Sequence, residues 1–252
     1  MYQQERMDQI MKILKNNNYV TVDYLVKEIK YSPASIRRDL TILEKQGLVT
    51  RSYGGVSYKD PNISPFRFRQ HSMKSAKNAI AKKAASLVKN GDVIFLDGSS
   101  TTQYMGHFLT DKKGITVVTC NMLLADFLSE HGINTYCTGG KVVEYPGILG
   151  GSFTLKFLES FNIDISFFSS YGFNTKGQVL SLGEKGISNH QFYRNNSKKL
   201  AYLCGSDKFD TEANFVSLTL EDIDYFISDE SLPPEMQQKF KNTTFLCTKL
   251  KS

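Results

Sequence analysis

The sequence predicts an α/β chain in two parts: a small N-terminal winged helix-turn-helix over residues 1–58, a connector over 59–75, and a larger, mostly parallel, doubly wound α/β domain over 76–252. Apolar residues up to Gly47 recur at helical spacing in three short blocks separated by turn residues. Two β-prone runs around Gly54-Gly55 follow them. From Val93 onward, β-rich runs alternate with helical segments, as in a parallel sheet covered by helices on both faces.

Met7, Ile10, Met11 and Leu14 fall at i, i+3, i+4 and i+7 and define the first helix, which Asn16-Asn17-Asn18 ends. Thr21 is placed to cap a second helix with Leu25, Val26 and Ile29 on its inner face. After a break at Tyr31-Ser32, Ser32 as cap and Pro33 at the first helical position start a third helix. Its inner residues are Ile36, Leu40 and Leu43, and Gly47 stops it. Three short helices in this span suit a helix-turn-helix, and Leu48 to Ser57 reads as the wing.

The residues that the third helix does not bury point to chemistry. Ser35, Arg37 and Arg38 project from its N-terminal half, the part that enters a major groove in this motif, with Tyr31 and Ser32 at its entry. Arginine can fork onto guanine or grip a phosphate. Arg51, Tyr53 and Gly54 on the wing are expected beside the backbone or minor groove.

Charge agrees. Residues 1–60 carry ten Lys/Arg against seven Asp/Glu, residues 61–90 seven against none, and residues 91–252 fourteen against eighteen, within a formal net charge of +6. A basic front joined to a mildly acidic remainder suits attachment to phosphates by one end. No stretch approaches a membrane span, and the first residues show no leader pattern, so neither secretion nor a membrane partner is expected. Cys120, Cys137, Cys204 and Cys247 lie far apart without a C-x-x-C pair, which argues against a zinc site or a disulfide framework and fits a cytoplasmic protein. No metal or cofactor is expected.

The turn-rich stretch 60–65 marks a boundary near residue 60, and the basic helix that follows buries Ile80, Ala84, Leu87 and Val88. The strand-like runs are Val93–Leu96, Ile115–Thr119, Thr135–Thr138, Ile165–Ser169, Leu200–Cys204, Tyr225–Ser228 and Phe245–Cys247. Ligands of such sheets sit at the carboxyl ends of strands. Three loops fall there. Asp97-Gly98-Ser99-Ser100-Thr101-Thr102 gathers a glycine, hydroxyls and helix-start N–H groups suited to a phosphate, although such a turn is more often simple capping. Thr119-Cys120-Asn121 is the second, and Thr138-Gly139-Gly140-Lys141 is the third.

The string Ser35-Ile36-Arg37-Arg38-Asp39-Leu40, with Leu43-Glu44, Gly47-Leu48, Arg51 and Tyr53-Gly54-Gly55-Val56, resembles the signature of DeoR-type bacterial regulators. Pro65-Phe66 with Arg69, and the three loops in their order, resemble the sensor domain of that family, which is similar to ribose-5-phosphate isomerase. The resemblance covers nearly the whole chain. It implies a repressor of a carbohydrate operon that binds double-stranded operator DNA as a homodimer or homotetramer. A phosphorylated sugar effector would release it, held by the first loop, Asn121, Gly139 to Lys141, Glu184, His190 and Lys208.

Three positions depart from the family pattern: Tyr171 and Gly205 stand where it has aspartates, and His190 where it has a lysine. Loss of those groups removes the acid/base pair that isomerisation would use, so binding without turnover is expected. Two alternatives stay open at this point: an isomerase-like enzyme with a basic extension, and a repressor whose larger domain has lost its ligand and only dimerises. His190 reads equally as a surface polar residue.

Overall fold

The computed structural model describes residues 3–17, 19–52, 55–58, 66–144 and 147–249, and the chain divides into two compact units, Met1–Pro65 and Phe66–Ser252.

The first unit contains α1 (Gln3–Asn17), β1 (Tyr19–Thr21), α2 (Val22–Ile29), α3 (Pro33–Lys45), β2 (Val49–Ser52) and β3 (Gly55–Tyr58). The Thr21 hydroxyl accepts the Tyr24 N–H at 3.1 Å and starts α2, and Lys30 in the left-handed region ends it. Strands β2 and β3 pair antiparallel as the wing, and β1 adds to β3 to complete a small sheet. Ile10, Leu14, Leu25, Ile36, Leu40 and Val56 are fully buried at the centre. Each such Leu or Ile contributes about 1.5–3 kcal/mol, which is how so short a unit closes a core.

The second unit opens with α4 (Phe66–Arg69) and α5 (Lys74–Ala85), then β4 (Val93–Leu96), α6 (Ser100–Gln103), β5 (Thr116–Thr119), α7 (Met122–Glu130) and β6 (Asn134–Cys137). The chain continues through β7 (Lys141–Glu144), β8 (Ile148–Gly150), α8 (Ser152–Leu158), β9 (Ile163–Phe168), β10 (Gly172–Phe173), β11 (Gln178–Ser181) and α9 (Glu184–Asn195). It ends with β12 (Ser197–Cys204), β13 (Phe215–Thr219), β14 (Tyr225–Ser228), α10 (Pro234–Lys239) and β15 (Thr244–Cys247). Phe66 is buried, and the second compact unit runs from Phe66.

Seven strands form one parallel sheet in the order β15-β14-β12-β9-β4-β5-β6. The sequence runs outward from β4 to β6 on one side and from β9 to β15 on the other, so its direction of winding reverses between β4 and β9. Alternate residues face opposite layers. Ile94, Leu96, Val117, Phe167, Ala201, Leu203 and Ile227 pack with α5 and α7. Phe95, Val118, Phe168, Tyr202 and Phe226 pack with α8, α9 and a three-stranded antiparallel sheet, β10-β11-β13. Strands β7 and β8 make a separate two-stranded ribbon.

Candidate functional site

In the first unit, Ser32 lies in extended backbone and its hydroxyl accepts the Ser35 N–H at 3.2 Å, so α3 starts where Pro33 can occupy its first turn. Ile36, Leu40 and Leu43 are buried and leave Arg37 and Arg38 exposed on the N-terminal half. Asp39 is wholly buried. It holds the guanidinium of Arg6 on α1, accepts from Gln3 at 3.1 Å, and so bolts the base of α3 to α1. The Arg6 guanidinium also lies 4.6 Å from the centre of the Tyr31 ring, which fixes the residue before the cap. Arg51 donates to the Thr41 hydroxyl at 3.0 Å while its own N–H bonds Glu44 at 3.2 Å, so the wing is tied to the exposed side of α3. Tyr53 and Gly54 lie outside the described residues.

In the second unit the winding reverses between β4 and β9, and the carboxyl ends of strands at such a reversal are where open α/β sheets bind ligands. Asp97 leaves β4 buried, and its carboxylate is occupied: Oδ1 accepts the Ser99 N–H at 2.9 Å and the Thr102 hydroxyl at 2.8 Å, and Oδ2 accepts the Ser169 N–H at 3.0 Å. Burial raises its pKa, and those bonds oppose the rise. Ser99 caps α6, with its hydroxyl 3.1 Å from the Thr102 N–H. The amides of Ser100 and Thr101, in the first helical turn, have no intrahelical acceptor. The Thr101 and Thr102 side chains themselves are buried. Gly98 is needed by close approach, because a β-carbon there would stand 2.4 Å from Ile148 on β8.

From the turn after β12, Lys208 donates to the Ser169 hydroxyl at 2.8 Å and the Ser170 carbonyl at 2.7 Å. Burial lowers its pKa. Lys77, which the sequence analysis does not single out, is buried and bonds the Ser72 carbonyl at 2.9 Å as well as the Arg69 carbonyl. Burial, with the charge of Lys208 next, lowers its pKa to about 8. Its spacing with Ile80, Ala81 and Ala84 at i, i+3, i+4 and i+7 was the available signal. The Arg69 guanidinium grips Glu144 of β7 through two bonds of 2.9 and 2.8 Å, and Glu144 also accepts the Phe66 N–H at 2.8 Å.

Asn121 caps α7 by accepting the Leu123 and Leu124 N–H groups, while its buried Nδ2 and the buried Thr138 Oγ1 have no hydrogen-bond partner among the described residues. Gly140 adopts φ +128° beside Thr154, whose hydroxyl donates to the Gly139 carbonyl at 2.7 Å. Lys141 and Glu184 are exposed. His190 is a core residue and not a surface one: its ring centre lies 4.8 Å from that of Phe168 at a tilt of 52°, it shares a 2.8 Å bond with the Ser217 hydroxyl, and its pKa is lowered to about 3 by burial with help from Lys208. At Gly205 a β-carbon would lie 2.4 Å from the Asp207 carboxylate, so that carboxylate fills the space of a side chain at 205. No group of metal-binding side chains occurs among the described residues.

The family model for a DeoR-like helix-turn-helix domain matches residues 6–62, and the model for the DeoR C terminal sensor domain matches residues 72–230. The chain belongs to the DeoR family. The HTH-type transcriptional repressor GlcR of Bacillus subtilis is 30% identical over 232 residues, covering 91% of this chain and 89% of that protein. The glycerol-3-phosphate regulon repressor of Escherichia coli is 26% identical over 240 residues, covering 94% and 95%. A solved ribose 5 phosphate isomerase A from Neisseria gonorrhoeae matches at 16% identity with a TM-score of 0.40, over 54% of this chain and 53% of that one. In this DeoR-family chain, the recognition-helix signature and the three loops therefore sit on the two matched domains. No described helix is long and apolar enough to cross a membrane.

Proposed function

We propose that the protein is a repressor of a carbohydrate operon, binding operator DNA through Arg37 and Arg38 as a homodimer or homotetramer, and released by a phosphorylated sugar held at the carboxyl ends of β4 and β9. The observation that carries the ligand reading is the meeting at Ser169: its N–H binds Asp97 of the helix-start loop and its hydroxyl binds Lys208, so open amides and a cation converge there. The Ser100 and Thr101 amides and Lys208 take the phosphate, with Gly98 and Ser99 shaping the loop. Asn121 and Gly139 to Lys141 line the sugar side. Glu184 is exposed on the first turn of α9, within the same set.

The ligand is bound without turnover. His190, with a pKa near 3, stays neutral and cannot exchange protons around neutral pH. Release is coupled through Glu144. The strand that continues from Gly140 and Lys141 holds the Phe66–Arg69 segment, where the chain enters this unit, so a ligand that moves β7 moves that segment too.

The test is a thermal-shift panel of phosphorylated sugars beside gel retardation on DNA upstream of the gene. A binding sugar at 100 times its dissociation constant adds about 2.7 kcal/mol of stability. The same sugar should reverse retardation, and Lys208→Met should abolish both effects. Retardation without any stabilising sugar would make the sensor a scaffold, and absence of retardation would remove the repressor reading.

A further inference from the structure

Residues 61–90 hold seven basic and no acidic side chains, and the structure separates six of them by role. Arg69 and Lys77 turn inward to Glu144 and to the Ser72 turn. Lys74, Lys82 and Lys83 on α5 and Lys89 just beyond it are all exposed, and none is within 4.0 Å of a carboxylate among the described residues. Asp92, the nearest acid in sequence, spends its carboxylate on the backbone N–H of Lys89 at 2.8 Å.

We propose that the outer face of α5 is a second DNA-binding surface, which grips backbone phosphates. A merely soluble surface intersperses both signs. Here residues 91–252 carry a net negative charge, fourteen basic against eighteen acidic, while residues 74–89 carry five lysines and no acid. Lys74 and Lys82 lie eight residues apart, about 12 Å along the axis. That distance spans several phosphates of one strand, which recur every ~3.4 Å of duplex. Asn78, one turn from each, is exposed between them and adds an uncharged donor of a kind that commonly meets phosphate oxygens. The surface carries no aromatic or forked arginine group aimed outward on α5, so it contributes affinity and not sequence preference. The inference rests on the reading of the chain as an operator binder.

The full-length protein and its triple variant Lys74→Gln/Lys82→Gln/Lys83→Gln are titrated with operator duplexes having short or long flanks and with an unrelated duplex, across roughly 50–200 mM salt. Each lost phosphate contact lowers the slope of log affinity against log salt by about 0.9. The triple variant should therefore lose about 2–3 in slope on the long-flanked operator and on unrelated DNA, keep its preference for operator, and melt at the wild-type temperature. The advantage of long flanks over short ones, present in wild type, should vanish, and hydroxyl-radical protection should retreat from the flanks. An unchanged slope and footprint in a folded variant would overturn the inference, as would selective loss of binding to phosphatidylserine vesicles instead of DNA. Failure of the wild type to prefer operator DNA at all would instead overturn the repressor reading.

Discussion

Helices α3 and α6 begin alike, with a serine in extended backbone whose hydroxyl accepts the N–H three residues on, at 3.2 Å from Ser32 and 3.1 Å from Ser99. Beyond the cap they diverge. In α3 the next polar residues, Ser35, Arg37 and Arg38, stay outside, because Arg6 and Asp39 hold the helix from beneath. In α6 the residues after the cap, Ser100, Thr101 and Thr102, are buried, because Asp97 and Ser169 draw the turn into the sheet. The same local device thus presents side chains in one unit and bare amides in the other, and the difference lies in the buried carboxylate behind each.

Removing those carboxylates should separate the two roles most sharply. Arg6→Ala leaves Asp39 buried without its cation, a loss of about 3–5 kcal/mol confined to the first unit. Amide hydrogen exchange should show protection falling across α1 and α3 while the second unit is unchanged, and equal loss in both units would mean that the lock is not local. Asp97→Ala strands two amides and a hydroxyl, a cost of about 2–4 kcal/mol to the second unit. Operator affinity in the absence of sugar should persist in that variant, and its loss would contradict independent units.

The second unit alone should respond to acid through His190. Its folded pKa of about 3 lies below the ordinary value of 6.5, so between those limits the unfolded chain binds the extra proton. Stability present above pH 6.5 is therefore lost as pH falls toward 3, by up to ~1.4 kcal/mol per pH unit. Denaturant melts of His190→Gln should show a shallower fall over that window, and parallel curves would place the acid sensitivity elsewhere. The smallest effect is at the caps. Ser32→Ala and Ser99→Ala should each cost about 1 kcal/mol. The first should weaken operator binding and the second sugar binding, and a crossed pattern would break the assignment of the two helix starts.

The five inner strands of the parallel sheet, β4, β5, β9, β12 and β14, were legible because most of their residues are buried, which writes them as apolar runs, while the edge strands β6 and β15, largely exposed or half-buried, were read from β-prone residues such as Thr135-Tyr136 and Phe245-Leu246. The recognition helix was legible from Ser32, Pro33 and the period of Ile36, Leu40 and Leu43. Strands β7 and β8 were not, since Lys141, Val142 and Val143 are exposed and pair only across their own ribbon. Strands β10 and β11 form a local hairpin too short to carry a periodic signal, and β13 joins β11 from far along the chain. In the candidate site, the loop after β4 stood out by composition. The involvement of Ser169 and Glu144 depends on contacts between residues far apart in the chain, Asp97 with Ser169 and Arg69 with Glu144, which no local pattern encodes.

The order of strands also sets a timetable for synthesis. The small sheet β1-β3-β2 is closed by residues no later than Tyr58, so the DNA-reading unit has all its partners as soon as that segment leaves the ribosome. Strand β4, at the centre of the larger sheet, must wait for β9, which begins at Ile163, and the sheet edge waits for Cys247. At ordinary translation speeds of about 5–20 residues per second, each nascent chain passes on the order of 10–40 s with a finished reading head and no finished receptor for the sugar.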